Sequence, residues 1–454
     1  MKDYQLGLSS IFVIFIMILA LIVGNSSAVL IFSTLFYLIG NISCFSIEKS
    51  SRREGITLFN YVFSCLILFA IIHYLDILVN YNDFAVDWND EYKFWLLSEE
   101  LSSSTSAHQV FISCFSSGIF QDVSGYLLYI GSLSYIAQNY FDGNNLLLQF
   151  IGTTFFGGMS SILLYKIFLL YFPSKVAFKH VFQFSLLSII FAYSFVLLRD
   201  IVIVFFYLWV FYILLIKFKI RNVLKILLIT LIVWQFRAGH ALFLLIFLVY
   251  YLYNTFKKNK IILWLSILLV TVVAFLTLNQ AFISASSTID RYGERGEASA
   301  LEISDSVGKS LYSLPSPIQE LTFFLYAHIK PFPSWNSLSN SKGIYSGIVN
   351  TLPIIYSLYW FIIVFSLSKM FITYKIYQFI PKNLIFLLIL CVVFVFLVSL
   401  GASDIRRMMN VYPIYFLVYA VGCSKITHSK KIKSKFEAIT SYLLLILVYL
   451  IIKA

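Results

Sequence analysis

Along most of the chain, apolar runs of about 17 to 25 residues alternate with short polar segments, and such runs are long enough to cross roughly 30 Å of hydrocarbon as helix. The runs fall at 6–24, 28–46, 57–79, 121–139, 146–165, 181–198, 201–216, 222–236, 239–254, 261–282, 347–368, 383–400, 411–423 and 437–452. Alternating ten-residue segments of the outer-membrane barrel type are absent, so the pattern predicts helices rather than membrane strands. The expectation is an all-α, polytopic integral membrane helical bundle of about 13–15 spans, with residues 1–454 forming one transmembrane domain. The first run, Leu6 to Gly24, has only Lys2 as an n-region charge and is followed at once by another apolar run, so it reads as an uncleaved span.

Composition agrees: 60% of residues are hydrophobic and 12% charged, against roughly 25% charged in a soluble chain. The net charge of +12 would point to nucleic acid in a soluble protein. Here the basic residues gather in short loops, as positive-inside topology requires, and no nucleic-acid partner is expected. These clusters (Lys49/Arg52/Arg53, Lys166/Lys175/Lys179, Lys217/Lys219/Arg221/Lys225, Lys257/Lys258/Lys260, Lys369/Lys375/Lys382 and Lys425 to Lys435) mark the cytoplasmic side. Spans alternate cleanly against them from 166 to 435, but before 166 the parity is off by one. A missed or re-entrant segment between 80 and 145, for which Val110 to Phe120 is the candidate, would close it. Two longer segments fall on the outer side: 80–120, external or re-entrant and acid-rich at its start, and 283–346, a large external loop. Loops of that length in a compact bundle are usually functional. The five cysteines are scattered without metal-ligand spacing, and no internal repeat suggests two equivalent transporter halves.

Arginine is distributed differently from lysine. Eighteen of 24 lysines lie in the cytoplasmic clusters, but six of nine arginines (Arg199, Arg237, Arg291, Arg295, Arg406 and Arg407) lie at outer span ends or in the outer loop. Positive-inside topology disfavours cations there, and a planar guanidinium binds phosphate bidentately and stays charged when partly desolvated. A pyrophosphate held at the outer face would account for Arg199, Arg237, Arg406 and Arg407. A salt bridge at a tight turn also explains Arg199-Asp200, snorkelling explains Arg237 alone, and a solvated turn explains Asp404 to Arg407. Arg237 and His240 stand at i, i+3 and share a face if one helix carries both. In His328 to Trp335, two prolines with aromatics form either a platform for sugar rings, with Lys330 and Trp335 as contacts, or a plain loop anchor. Asp87 and Tyr92 are further glycan-contact candidates in a segment where interfacial aromatics are expected anyway.

Walker-A, dinucleotide-binding, HExxH and GxSxG patterns are all absent, and no metal or other cofactor is expected. Asp76, Asp122, Asp142 and Asp200 are the carboxylates near membrane depth, too few and too terminal for an ion-coupled relay.

The order of several short segments resembles the Wzy-type O-antigen or capsule repeat-unit polymerases, especially their EpsG-like relatives. The matching elements are Asp87…Tyr92, Leu198-Arg199-Asp200, Arg237-Ala238-Gly239-His240, Pro331 to Trp335, and Arg406-Arg407…Tyr412-Pro413, threading residues 85 to 420. The final span and the early parity depart from a simple twelve-span pattern. The resemblance implies a broadly GT-C-like architecture in the bacterial inner membrane. It also implies polymerisation of undecaprenyl-pyrophosphate-linked oligosaccharide at the outer face, among membrane lipids and with a chain-length regulator as a possible partner. Arginines would stabilise the departing pyrophosphate, and His240, His328 or an outer-loop carboxylate would serve as general base. An O-antigen ligase shares that donor and those features. A lipid-linked repeat-unit flippase or a membrane scaffold would be the readings from other classes.

Overall fold

In the computed structural model, described residues are 2–81, 89–116, 123–256, 317–330, 332–335, 343–401 and 405–453, with isolated positions between 259 and 315. All regular structure among them is helical, and seven helices are long and apolar enough to cross a membrane. The chain is a multi-pass helical membrane protein. Several of the expected crossings are shorter than a full span. The helix at Ser174–Leu187 has 14 residues, about 21 Å at 1.5 Å per residue, and the one at Asp200–Leu215 is 16 residues long. Most of the expected 283–346 loop and all of the 261–282 span except isolated positions lie outside the described residues.

The chain divides into two compact units, 1–212 with 333–360, and 213–332 with 361–454. The first contains α1 (Lys2–Gly24), α2 (Ser27–Ser43), α3 (Arg52–Asp76), α4 (Asn89–Ser102), α5 (Ala107–Ser116), α6 (Ser124–Tyr140), α7 (Leu146–Phe168), α8 (Ser174–Leu187), α9 (Ile189–Ala192) and α10 (Asp200–Leu215). Its centre is the antiparallel pair α3 and α7. A side chain on Gly157 would collide with Leu66, and one on Gly158 with Phe59, so small residues bring the backbones close. The Asn60 amide crosses to the hydroxyls of Ser9 (3.1 Å) and Ser10 (3.3 Å), tying α1 to α3 where hydrocarbon offers no partner.

Polar contacts fix which loops share a side. On the lysine-rich side, Lys166 donates to the Ser46 hydroxyl (3.3 Å) and the Tyr165 hydroxyl to the Ser51 carbonyl (3.3 Å). On the opposite side, Asp142 accepts from the Ser26 hydroxyl (2.9 Å) and the backbone N–H groups of Ser27 and Ala28, capping α2 from a distant segment. Partial burial would raise the Asp142 pKa, but these bonds from Ser27, Ser26 and Ala28 outweigh it and hold the carboxyl below its ordinary value. Since α3 carries the chain from the lysine-rich side across, everything between Ile77 and Asn145 begins and ends on the far side. The run at 121–139, expected to cross, is α6, which returns outward rather than spanning. Helix α6 pairs with α7 through Tyr129 to the Gly152 carbonyl (2.8 Å) and Gln149 to Ser134 (2.7 Å). Phe94 meets Tyr126 (4.8 Å) and Leu101 fits against Gly131, so α4 runs parallel to α6.

The second unit contains α11 (Ile220–Trp234), α12 (Ala238–Phe256), α13 (Ile318–Ile329), α15 (Lys382–Gly401), α16 (Ile405–Met408), α17 (Tyr412–Lys425) and α18 (His428–Lys453); α14 (Ile344–Ile372) contributes its last part. Helices α13 and α17 pack on α15. At the lysine-rich end, Lys369 of α14 pairs with Glu437 of α18, and Lys430 lies over the Tyr374 ring (5.2 Å).

This topology makes a direct prediction. In a cysteine-less background, Ser103→Cys should react with an impermeant thiol reagent on intact spheroplasts, and Lys49→Cys only after permeabilisation. The reverse pattern would refute the far-side placement of α4 to α6.

Candidate functional site

Polar groups converge at one place in each unit. In the first, α8 ends at Leu187, α9 adds a single turn at Ile189–Ala192, and the chain then runs irregularly to Arg199 before α10 begins at Asp200. Phe205 packs on Phe156 (5.6 Å) and Lys166 lies over Tyr212 (4.5 Å), so α10 descends alongside α7. That register sets Arg199 and Asp200 level with the outer third of α7, with Asp200 buried and Arg199 half-buried. At the same level, His73 Nε2 lies 3.0 Å from Glu91 Oε2, and the two side chains are only 6% and 2% exposed. The His73 ring packs on Phe150 (5.0 Å) and Phe195 (6.1 Å). The buried Tyr126 hydroxyl feels the charges of Glu91, Asp200 and Arg199, which places all four side chains in one polar region. Asp76, one turn beyond His73, is also buried.

The His73–Glu91 pair is incompletely satisfied. A carboxylate oxygen can only accept here, so Nε2 carries the proton and, in the neutral ring, Nδ1 presents its lone pair. Nδ1 and Glu91 Oε1 are both buried without a hydrogen-bond partner among the described residues. Each such orphan costs about 1–3 kcal/mol, so an empty pair serves stability poorly.

In the second unit, α11 ends at Trp234 and a turn through Arg237 opens α12. Arg237 therefore precedes the helix that carries His240 and does not share its helical face; its carbonyl accepts from the His240 backbone N–H (3.1 Å). His240 is buried, packed on Phe394 (5.8 Å), and its Nδ1 lies 3.4 Å from Asn410 Nδ2. The same Asn410 Nδ2 donates to the Arg407 carbonyl (3.1 Å), which fixes the amide orientation because a carbonyl cannot donate. His240 Nδ1 consequently accepts, and its proton resides on Nε2. Arg406 and Arg407 sit half-buried on the short α16. Thus Asn410, a residue the sequence had not marked although it lies three positions after Arg407, ties the His240 ring to the Arg407 backbone, while Arg237 adjoins His240 through its own carbonyl.

His328 is held differently. Its Nδ1 donates to the Phe324 carbonyl (2.9 Å), which leaves Nε2 to accept from the Tyr415 hydroxyl (3.1 Å). Both nitrogens are engaged, beside an almost wholly apolar cavity of about 440 Å³ lined also by Tyr326, Phe361 and Phe365. Lys330 Nζ lies 5.0 Å over the Tyr326 ring, and Phe332 is buried between Tyr442 (5.9 Å) and Tyr449 (5.7 Å). Trp335, assigned to the first unit, is half-buried, and Tyr92 is exposed beside the buried Glu91. Asp87, Arg291, Arg295, Pro331 and Asp404 lie outside the described residues. Among the described residues, no group of three or more His, Cys, Asp or Glu side chains is placed to hold a metal ion.

No protein-family model matches the chain, and a search of curated proteins returns no match.

The His328 geometry predicts a stability effect. Tyr415→Phe leaves the half-buried His328 acceptor unpaired and should cost about 0.5–1.5 kcal/mol, read as a lower unfolding midpoint in detergent. An unchanged midpoint would show that the bond contributes nothing.

Proposed function

We propose that this protein polymerises undecaprenyl-pyrophosphate-linked oligosaccharide repeat units at the outer face of a bacterial inner membrane, as a Wzy-type glycosyltransferase. The observation that carries the reading is the junction at Asn410, which links residues 170 apart in sequence. It joins two of the arginine-bearing segments that the resemblance singles out. The chemistry needs fixed positive charge where a pyrophosphate leaves an anomeric carbon, and arginine supplies it without a metal. His240, with its proton on Nε2, suits a donor to a phosphate oxygen better than a base. Gly239, at the start of α12, faces open space and leaves the positive end of that helix approachable. Arg199 in the first unit is the remaining phosphate ligand candidate, and Lys330, Trp335, Asp87 and Tyr92 are candidates for sugar contact. No nucleotide sugar is required. Transfer to a lipid core, the ligase reaction, would use the same donor and groups.

A second reading draws support from one observation. His73, Asp76, Glu91 and Asp200 are all buried in the first unit. Ionisable groups at membrane depth often mark proton pathways. A proton-linked flippase for the same lipid-linked unit would use them.

Lysine replacement separates phosphate recognition from simple charge. Arg199→Lys, Arg237→Lys and Arg406→Lys should each cut glycan laddering in cells by roughly ten- to a hundredfold, the worth of one charge-assisted bond pair. Arg221→Lys, on the lysine-rich side, should be tolerated. Full ladders in all three far-side variants would remove phosphate recognition from the account.

A further inference from the structure

Resting on that polymerase reading, we propose that His73, held by Glu91, is the general base for the acceptor sugar, and that Glu91 Oε1 binds a different, non-adjacent hydroxyl of the same sugar. Three observations lead there. The carboxylate at 3.0 Å fixes the proton on Nε2 and orients the ring, the arrangement by which a buried acid readies an imidazole to accept at its other nitrogen. Nδ1 and Oε1 are both acceptors, both buried, and both without a partner among the described residues. What each lacks is a donor, and a sugar ring carries several hydroxyls spaced around its rim. Finally, Arg199 and Glu91 both act on the Tyr126 hydroxyl, so a phosphate-binding cation and the base occupy one region of the first unit.

The two imidazoles that the sequence marked are committed elsewhere. His328 has both nitrogens bonded, and Nδ1 of His240 already accepts from Asn410. In the proposed step the acceptor hydroxyl oxygen attacks the anomeric carbon of the donor glycan and a new glycosidic C–O bond forms. The anomeric C–O bond to phosphate breaks, its electron pair leaving on the lipid pyrophosphate. The hydroxyl proton passes to His73 Nδ1, while Glu91 faces the imidazolium. The ring then returns the proton to water or to the departing pyrophosphate.

The test uses full-length protein in liposomes, purified lipid-linked repeat units, and rates expressed per folded molecule. His73→Gln should lower kcat by about 10²–10⁴ with KM nearly unchanged, because the base acts on the proton in flight. Glu91→Gln should both lower kcat and raise KM, since it removes the ring's orienting charge and weakens a sugar contact. His73→Ala should regain turnover with imidazole in the buffer but not with pyrrole, which matches the ring in size without a basic nitrogen. Equal rescue by both would mean that the ring only fills space, and would overturn the proposal. Near-normal kcat and KM in both His73→Gln and Glu91→Gln, beside an active wild type, would overturn it while leaving the polymerase reading standing. A wild type that makes no polymer would remove both.

Discussion

Hydrocarbon offers no hydrogen-bond partner, so a polar side chain inside this bundle must find one in the protein or lose about 1–3 kcal/mol. That constraint organises the first unit. Asn60 reaches Ser9 and Ser10, Gln149 reaches Ser134, and Tyr129 reaches the Gly152 carbonyl. The His73–Glu91 bond joins α3 to α4 under the same rule, yet leaves one nitrogen and one oxygen unmatched. An oriented imidazole and a carboxylate that each keep one open acceptor give this pair the character of a site as well as of a bridge.

A second polar device, the capping of α2 by Asp142, fixes which loops share the far side. A carboxylate held below its ordinary pKa by backbone and hydroxyl donors stays charged through the neutral range and complements the positive end of a helix. Asp142 belongs to the short turn between α6 and α7, so one contact sets the loop after α1 and the loop after α6 on the same side. The lysine-rich contacts of Lys166 and Tyr165 set the other ends. Between these anchors, α4 packs on α6 and α6 on α7 of the central pair.

How much of this was legible in the sequence follows from the same physics. Long apolar runs with short basic loops, as in α1, α2, α3 and α7, are dictated by bilayer thickness and read directly. The run at 121–139 has nearly the length of a span, but its Tyr129 and Ser134 serve contacts with α7 rather than with lipid, and hydropathy alone does not separate those cases. Glu91 sits among acidic residues that look solvated, and nothing local distinguishes it from exposed Asp90. His73 did carry a signal, a histidine with Asp76 at i+3 inside an apolar helix, where ionisable residues are rare. The arginine asymmetry identified the segments that meet at Asn410, but the amide that joins them is neutral and left no mark in the charge pattern. Arg237 and His240 come together across a helix start rather than along one face.

Each unit carries its own chemistry: in the second, an imidazole whose proton lies on Nε2 at the start of α12, and in the first, an oriented imidazole with an open lone pair. A flippase would need the buried ionisable groups but not the bidentate cations, and a ligase would need the cations but a different acceptor. Product identity therefore decides between them more directly than any substitution. Wild-type protein in sealed liposomes, given only purified undecaprenyl-pyrophosphate-linked repeat units, should convert them into a ladder of lengthening glycans with release of undecaprenyl pyrophosphate. Movement of the intact units across the bilayer with no change in glycan length would contradict the account.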